Sequence, residues 1–385
     1  MSRSPFLSGA APAFFLTIFC VSSTIAFFVP VCSLFLTRDV GATPLATGFF
    51  FAFSGLLSIG VSQLVARYSD VAGSRRNIII FGCICGCVAC VFFSFLRSYW
   101  ILLFLICPLY CFAHVSGQVF AAGREYSRSR GLDPVLFTSC MRACFALAWI
   151  MVPPAAMLLL DSQGAGSVYL LCALVFAVSA LAALFLPPGR RSAEARREAS
   201  GARLFPERSV LYLFGCVALV FTCNGMHMIA MPQLVTGEMG LEAKFAGIFM
   251  ATAAGLEIPV MLFSGRLAQK IHMRNILLVA TAAGFMYYIA VSMCHTPWVF
   301  WCAQLANALF IGVITNLGMV YFQEMLPRIP GQATTLFSSA VAVGNIVSGA
   351  VCGAVSAAFG YGGVFYAAVL CSFLASVLMF LVRKI

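Results

Sequence analysis

Twelve long apolar segments dominate this sequence, and each is about long enough to cross the hydrocarbon core of a membrane as a helix. They lie close to residues 13–36, 45–66, 77–96, 100–121, 135–159, 168–186, 210–231, 245–265, 275–294, 298–320, 333–357 and 363–382. The segments are continuously apolar, whereas strands of an outer-membrane barrel alternate apolar and polar residues. A backbone in lipid must satisfy its own hydrogen bonds. The chain is therefore predicted to be an all-α integral membrane protein with twelve transmembrane helices.

Composition excludes an ordinary soluble domain. Of the 385 residues, 62% are hydrophobic and 9% are charged, against roughly 45–50% and 25% in soluble proteins. The formal net charge of +11 would suggest a nucleic-acid partner in a soluble protein. Here the position of the basic residues in the loops matters more, and the predicted partner is the lipid bilayer, with no nucleic acid.

The basic residues indicate the orientation of the chain. With the N-terminus inside, all of the 23 Lys and Arg residues lie on the cytoplasmic side except Arg38, Arg97, Lys244 and the intramembrane Arg142. The positive-inside rule then predicts that both termini are cytoplasmic. The first apolar segment is longer than a signal-peptide core, so it is interpreted as an uncleaved helix.

A polar, Arg-rich segment divides the chain into two similar halves. The predicted parts are an N-terminal six-helix half at 1–188, a cytoplasmic linker at 189–208 and a C-terminal six-helix half at 209–385. At an offset near 199, Arg76-Asn77-Ile78 matches Arg274-Asn275-Ile276, and LFTS at 136–139 matches LFSS at 336–339. Two parallel six-helix halves joined by a basic loop resemble the major facilitator fold, whose central cavity opens alternately to each side.

The loop after the second segment resembles a motif that this superfamily has at the same place. Asp70, Gly73, Arg75 and Arg76 match its pattern of Asp, Gly and following basic residues. A carboxylate and Arg at helix ends are expected to brace one conformation, which makes Asp70, Arg75 and Arg76 candidates for conformational gating. The alternative is an ordinary solvated loop with positive-inside charge.

Four ionisable residues are predicted within the membrane, where a charge costs roughly 2.5–3.5 kcal/mol or more. They are His114, Arg142, His227 and Glu257. Arg142 and Glu257 lie at similar depths on spans five and eight, which face each other in the major facilitator fold. We expect them to pair across the two halves, with Glu257 as the proton-coupling residue and His114 as a second candidate. The alternative is a static ion pair.

Polar side chains recur at helical spacing on spans four, seven and ten. Residues three or four apart share a helix face, and Trp149 lies seven residues after Arg142. The predicted substrate contacts are Asn224, His227, Gln304, Asn307, Gln118, Trp149 and Arg142. For any single one of them, a hydrogen bond between helices is the alternative.

The densest cysteine group offers a candidate for a soft metal. Cys83, Cys87 and Cys90 share one helix face, and thiolates bind soft cations. No His or carboxylate accompanies them, so small packing residues at a helix contact are the favoured interpretation. No metal or cofactor is predicted.

With these residues in view, the chain resembles the bacterial sugar efflux transporters of the major facilitator superfamily. The matching runs include SLFLTRDVGA at 33–42, GREYS at 123–127, MRACFALAWI at 141–150, TCNGMHMIAMP at 222–232 and TAAGLEIP at 252–259. The resemblance implies export of sugars or glycosides across the inner membrane, by exchange with protons. Phe28, Cys144 and Val152 depart from the family pattern and make the expected cavity more apolar.

Other functions stay open at this point. The apolar cavity also fits efflux of amphipathic drugs, and a different class is a non-transporting receptor or scaffold on a transporter fold. An enzyme would need a metal or nucleophile cluster at a membrane face, and the absence of a P-loop motif argues against ATP as the energy source. The chain is thus expected to be a monomeric, non-enzymatic secondary transporter whose partners are a small solute and protons.

Overall fold

The computed structural model describes residues 9–71, 74–110, 115–188, 207–293, 296–327 and 329–383, and it omits the side chains of residues 62–71, 110, 135, 330 and 331. Throughout these ranges the regular structure is helical and no strand occurs. This confirms the predicted all-α fold.

The helices follow the apolar segments closely. Their bounds are α1 (Ala11–Arg38), α2 (Pro44–Val71), α3 (Arg75–Phe95), α4 (Tyr99–Tyr110), α5 (Val115–Ser129), α6 (Pro134–Gln163), α7 (Ala165–Leu184), α8 (Arg208–Gln233), α9 (Ala243–Leu267), α10 (Met273–Met293), α11 (Pro297–Met325) and α12 (Pro330–Leu381). Ten of the described helices are long and apolar enough to span a membrane. The fourth predicted span falls on α4 and α5.

The long helix α12 contains the last two predicted spans. Gly360 interrupts it with φ 74° and ψ 175°, a backbone conformation that glycine adopts at no steric cost. A π-helical turn, Leu234–Glu238, follows α8, and the Glu238 carboxylate accepts a hydrogen bond from the Gly362 amide at 2.7 Å. Glu238 therefore satisfies a backbone donor that would otherwise be free just after this break.

The chain forms two compact units. The first comprises residues 1–40 and 56–192, and the second comprises 41–55 and 193–385. In the first unit α3 packs on α7, and α1 packs on α6 and α7. Small side chains make the α3–α7 contact close: Cys90 Sγ lies 3.7 Å from Cys172 Sγ, and Cys83 Sγ lies 3.5 Å from Ser179 Oγ. These cysteines fill a helix–helix contact in this structure.

In the second unit the most extensive contact joins α8 and α12, while α11 packs on both α9 and α10. A Cβ at Gly225 of α8 would lie 2.2 Å from Ser348 Oγ of α12, and one at Gly284 of α10 would lie 2.1 Å from the Phe310 ring of α11. These glycines therefore allow the helices to approach as closely as they do.

The first part of α2 packs with the second unit, although it precedes the predicted linker at 189–208. Gly48 lies against Gly353 of α12, where an added Cβ would come within 2.3 Å of the Gly353 Cα. Gly349 similarly meets the backbone of Ala52. Helix α2 is thus shared, because residues 41–55 belong to the second unit and the following residues to the first.

Candidate functional site

The first candidate site is an ion-pair cluster at the start of α3, which we call the Arg75 cluster: Arg75, Gln118 and Glu125. Arg75 Nη2 lies 2.8 Å from Glu125 Oε1, and Arg75 Nε donates to the same oxygen at 3.0 Å. Nη1 donates to Gln118 Oε1 at 2.9 Å. Arg75 is only 9% exposed. The guanidinium therefore ties the beginning of α3 to two residues of α5 that lie about two helical turns apart, with two N–H groups on one carboxylate oxygen and a third on an amide oxygen.

The surroundings of this cluster retain unused hydrogen-bonding groups. Glu125 Oε2, Arg76 Nε and Ser74 Oγ are buried and have no hydrogen-bond partner among the described residues. The side chain of Asp70, the predicted carboxylate of the brace, lies outside the described residues. Arg75 takes part in a brace of the predicted chemical type, while its observed carboxylate partner is Glu125.

The second candidate site is a buried polar group in the second unit, which we call the His227 cluster: His227, Tyr287, Gln304 and Asn307. His227 Nδ1 lies 3.4 Å from the Tyr287 hydroxyl, and Asn307 Nδ2 donates to Gln304 Oε1 at 3.3 Å. The exposed fractions of His227, Gln304 and Asn307 are 3%, 0% and 6%. Three predicted substrate contacts from α8 and α11 are thus brought into the interior of one unit.

One donor in the His227 cluster lacks a hydrogen bond of normal length. Gln304 Nε2 is buried and has no such bond to a described residue, although the Gln304 amide lies near the Tyr287 hydroxyl. A poorly satisfied buried donor is costly, so this amide is positioned to gain a stronger bond when an acceptor arrives. The His227 ring also packs edge-on against Tyr287 and Phe365, which fixes its orientation.

Asn224 lies one helical turn before His227 and is half-buried. The next residue, Gly225, faces α12, where an added Cβ would lie 3.8 Å from Asn345 Oδ1. Asn345 is an exposed amide on a membrane-spanning helix. The structure thereby adds Asn345 to the neighbourhood of a predicted substrate contact.

Glu257 lies on α9, two residues before Pro259, and is half-buried. A Cβ at Gly312 of α11 would lie 3.5 Å from Glu257 Cγ. Within the second unit, the carboxylate has no ion-pair partner among the described residues. A carboxylate in a membrane span without a cation of its own unit is free to exchange a proton or to pair with a cation that approaches.

The remaining predicted residues are placed as follows. In the first unit, Arg142 is exposed on α6, and Trp149 is half-buried seven residues further along the same helix. Gln118, predicted to contact substrate, accepts a hydrogen bond from Arg75. His114 lies outside the described residues. In the described part of the chain no three His, Cys, Asp or Glu side chains come together as metal ligands.

Three residues of these sites escaped the sequence analysis as site residues. Glu125 matches Glu324 in the internal repeat, and that repetition was the available signal. Tyr287 lies in a continuously apolar segment, where its hydroxyl gives no pattern. Asn345 is the one amide in its predicted span, and its polar neighbour at helical spacing is the hydroxyl of Ser348, which is a weaker signal than a second amide.

Comparison with known proteins gives consistent matches over the whole length. The family model described as "Major Facilitator Superfamily" matches residues 14–328 and again 213–385. The chain is 37% identical to sugar efflux transporter A of Dickeya chrysanthemi, covering 93% of this chain and 91% of that protein. It is 34% identical to sugar efflux transporter A of Escherichia coli, covering 100% and 98%.

Solved structures of the same fold are more distant in sequence. A variant of the nucleoside transporter NupG superposes with a TM-score of 0.85 at 14% identity, covering 98% of this chain and 100% of that one. A bacterial homologue of the human lysosomal transporter Spinster gives a TM-score of 0.73 at 16% identity, covering 96% and 95%. At these identities the likeness concerns the fold.

Proposed function

Because the chain belongs to the major facilitator superfamily, and within it to the sugar efflux transporters, we propose that it exports sugars or glycoside-like small solutes across a bacterial inner membrane. As a member of this family it is a transporter and not an enzyme. The observation that carries the proposal is identity of 34–37% to proteins named as sugar efflux transporters, over 91% or more of their length. Both termini are proposed to be cytoplasmic, and the monomer to be the working unit.

The proposed substrate site combines amides and an aromatic ring. Sugar hydroxyls need both donors and acceptors, and side-chain amides supply both. Gln304 has a buried donor without a hydrogen bond of normal length, and Asn224 and Asn307 lie on the same two helices as His227 and Gln304. We include Gln118, Arg142 and Trp149 from the first half, as the sequence indicates, and add Asn345.

Transport is proposed to proceed by alternating access, in exchange for protons. The Arg75 cluster would stabilise one conformation by joining α3 to α5. Arg142 and Glu257 are proposed to pair when the two halves approach at that depth and to separate when the cavity opens. Proton exchange at Glu257, or at His114, would then accompany the conformational cycle.

Counterflow in proteoliposomes tests the function directly. Vesicles loaded with unlabelled solute are diluted into labelled lactose, glucose, an alkyl glucoside or an amphipathic cationic drug. We expect transient accumulation of a sugar or glycoside, and none with protein-free vesicles. Accumulation of the drug alone would replace the sugar proposal with drug efflux, and no accumulation of any solute would favour a receptor or scaffold.

A further inference from the structure

The second unit contains an apolar groove that the transport proposal does not use. Helices α9 and α10 follow each other in the chain and both pack on α11, but among the described residues they make hardly any contact with each other. The space between them is a groove of about 620 Å³. Its floor is a ridge of α11 formed by Leu305, Leu309 and Val313, which are spaced four residues apart and so lie on one face.

The walls of the groove are apolar, and it opens away from the unit. Val260 and Phe263 of α9 face Ile276 and Val279 of α10. Phe263 and Val279 are each 64% exposed, so the groove opens on the surface that a membrane protein presents to acyl chains. Sugar hydroxyls in such a groove would lose water without gaining partners, which argues against the transported solute as its occupant.

One end of the groove is basic. The turn between α9 and α10 joins two antiparallel spans, so it lies at a membrane–water interface whichever way the protein is oriented. Arg266, Lys270 and His272 are exposed there, beside the groove residues Leu267, Ile271 and Asn275. Between residues 256 and 280 the only carboxylate is Glu257, which does not line the groove.

Arg274, although close in sequence, is engaged elsewhere. Its guanidinium donates to the carbonyl oxygens of Phe380 and Val382 at the end of α12. Arg266 lies in the last turn of α9, and Lys270 follows in the turn directly after the helix, where its backbone amide donates to the Leu267 carbonyl oxygen. They form no ion pair with a described residue. Two exposed cations therefore lie at the interface end of a groove that is otherwise apolar.

We propose that this groove is a binding site for an anionic phospholipid, with an acyl chain on the α11 ridge and the headgroup phosphate at Arg266 and Lys270. Basic pockets between membrane helices recognise anionic headgroups, and each nearby Lys or Arg contributes about 1 kcal/mol. Asn275 adds an amide at the same end of the groove. The shape of the groove provides a site for an acyl chain, and the cations at its end provide the preference for an anionic headgroup.

The test uses the purified full-length protein after removal of native lipid, titrated with phosphatidylglycerol or phosphatidylcholine and followed by native mass spectrometry. We expect wild type to bind phosphatidylglycerol at least about five-fold more tightly than phosphatidylcholine. Each of Arg266→Gln and Lys270→Gln should reduce phosphatidylglycerol affinity about five-fold, which corresponds to the loss of one such cation. Val279→Trp, which fills the groove from its open side, should weaken binding of both lipids.

Arg128→Gln is the matched control, because Arg128 is an exposed cation on α5 of the first unit. It should leave phosphatidylglycerol binding unchanged, and glycerol phosphate without acyl chains should not displace the lipid. Equal affinity for the two lipids in wild type, an equal loss in Arg128→Gln, or full affinity in Val279→Trp would each overturn the proposal. Monodisperse elution of every variant ensures that a loss of binding does not reflect unfolding.

Discussion

Arg75 and Glu125 are joined by an ion pair between helices α3 and α5, with 2.8 Å between Nη2 and Oε1. The two residues are fifty positions apart in sequence, and Gln118 accepts a second bond from the same guanidinium. Arg75 is almost fully buried, while about a third of the Glu125 side chain is exposed. The contact is therefore a partly desolvated ion pair in which two guanidinium N–H groups share one carboxylate oxygen, and it is stronger than an ordinary surface ion pair.

We expect Arg75→Gln to destabilise the first unit and to slow transport. The substitution leaves Glu125 partly buried without its cation and removes the donor to Gln118, at a cost of about 1–3 kcal/mol. Arg75→Lys should lie between wild type and Arg75→Gln, because an ammonium lacks the planar fork of the guanidinium. Thermal unfolding in detergent and initial counterflow rates measure the two effects.

The control for Arg75→Gln is Arg124→Gln, because Arg124 is exposed beside Glu125 and takes no part in the Arg75 cluster. Arg130→Gln is less suitable, because Arg130 lies over the Tyr126 ring. If the Arg75 cluster has a gating role, the initial counterflow rate of Arg75→Gln should fall by more than its loss of thermal stability accounts for. Arg75→Gln protein that transports at the wild-type rate would contradict that role.

The Arg75 cluster shows what sequence could and could not provide. The motif around Asp70 and Arg75 predicted a carboxylate–arginine brace near this helix end. Its partners were not predictable, because Gln118 and Glu125 approach Arg75 only through the packing of α5 beside α3. Periodicity led to the prediction that Gln118 contacts substrate, but a shared helix face does not show which protein residues it also contacts, so the bond from Arg75 was not foreseen.

Asn307→Ala should weaken substrate binding by roughly 1–3 kcal/mol, because it removes an amide and leaves Gln304 Oε1 without its donor. The expected effect on affinity is about 5- to 150-fold. The measurement is a competition or counterflow half-saturation value with the best sugar from the solute panel.

Asn316→Ala is a matched control on the same helix. Asn316 Nδ2 donates to the Met261 carbonyl oxygen of α9 at 3.0 Å, so it serves helix packing. Both variants should unfold at lower temperature, but only Asn307→Ala should shift the half-saturation value. If neither Asn307→Ala nor Asn316→Ala changes the half-saturation value, Asn307 does not belong to the substrate site, and the His227 cluster is a structural network.

Gly48→Leu should abolish close packing of α2 on α12. The Gly48 position has no room for a side chain, since even a Cβ would come within 2.3 Å of the Gly353 backbone. If transport requires this contact to form and break, the initial rate should fall at least ten-fold while the protein still folds. Gly60→Leu on the same helix is the control, because nothing described lies within 4 Å of its Cβ position. Wild-type transport by Gly48→Leu would show that the contact is dispensable.

Most helix ends were predictable to within about five residues because apolar length is a strong signal, whereas α5 runs to Ser129, beyond the predicted end at 121. The break in α12 at Gly360 fell in the interval expected between the last two segments. The packing of residues 41–55 with the second unit was not predictable. The sequence feature behind this packing is the spacing of the small residues Gly48, Ala52 and Gly55. Such spacing predicts a close contact with another helix but does not show which helix it is.

The proposed coupling to protons depends on Glu257. Its carboxylate has no cation partner among the described residues of its own unit, and α11 packs beside it through Gly312. If Arg142 pairs with Glu257 in one conformation, the Glu257 carboxyl group loses its proton. If the pair opens, or substrate binds Arg142, Glu257 takes up a proton again. Conformation and protonation would then be linked through one carboxylate. The alternative is a carrier that equilibrates its solute without protons.

Glu257→Gln mimics the protonated carboxyl group in shape and charge but does not release a proton. We expect it to abolish substrate accumulation driven by a pH gradient and to preserve solute exchange at equal pH on both sides. Proteoliposomes with and without an imposed gradient separate these two activities.

Glu242→Gln is the control, because Glu242 is an exposed carboxylate that pairs with Lys244 at the start of the same helix, and both activities should persist. Uphill accumulation by Glu257→Gln under a proton gradient would exclude Glu257 as the coupling residue. Loss of both activities would mean that Glu257 serves substrate binding or stability and not coupling alone.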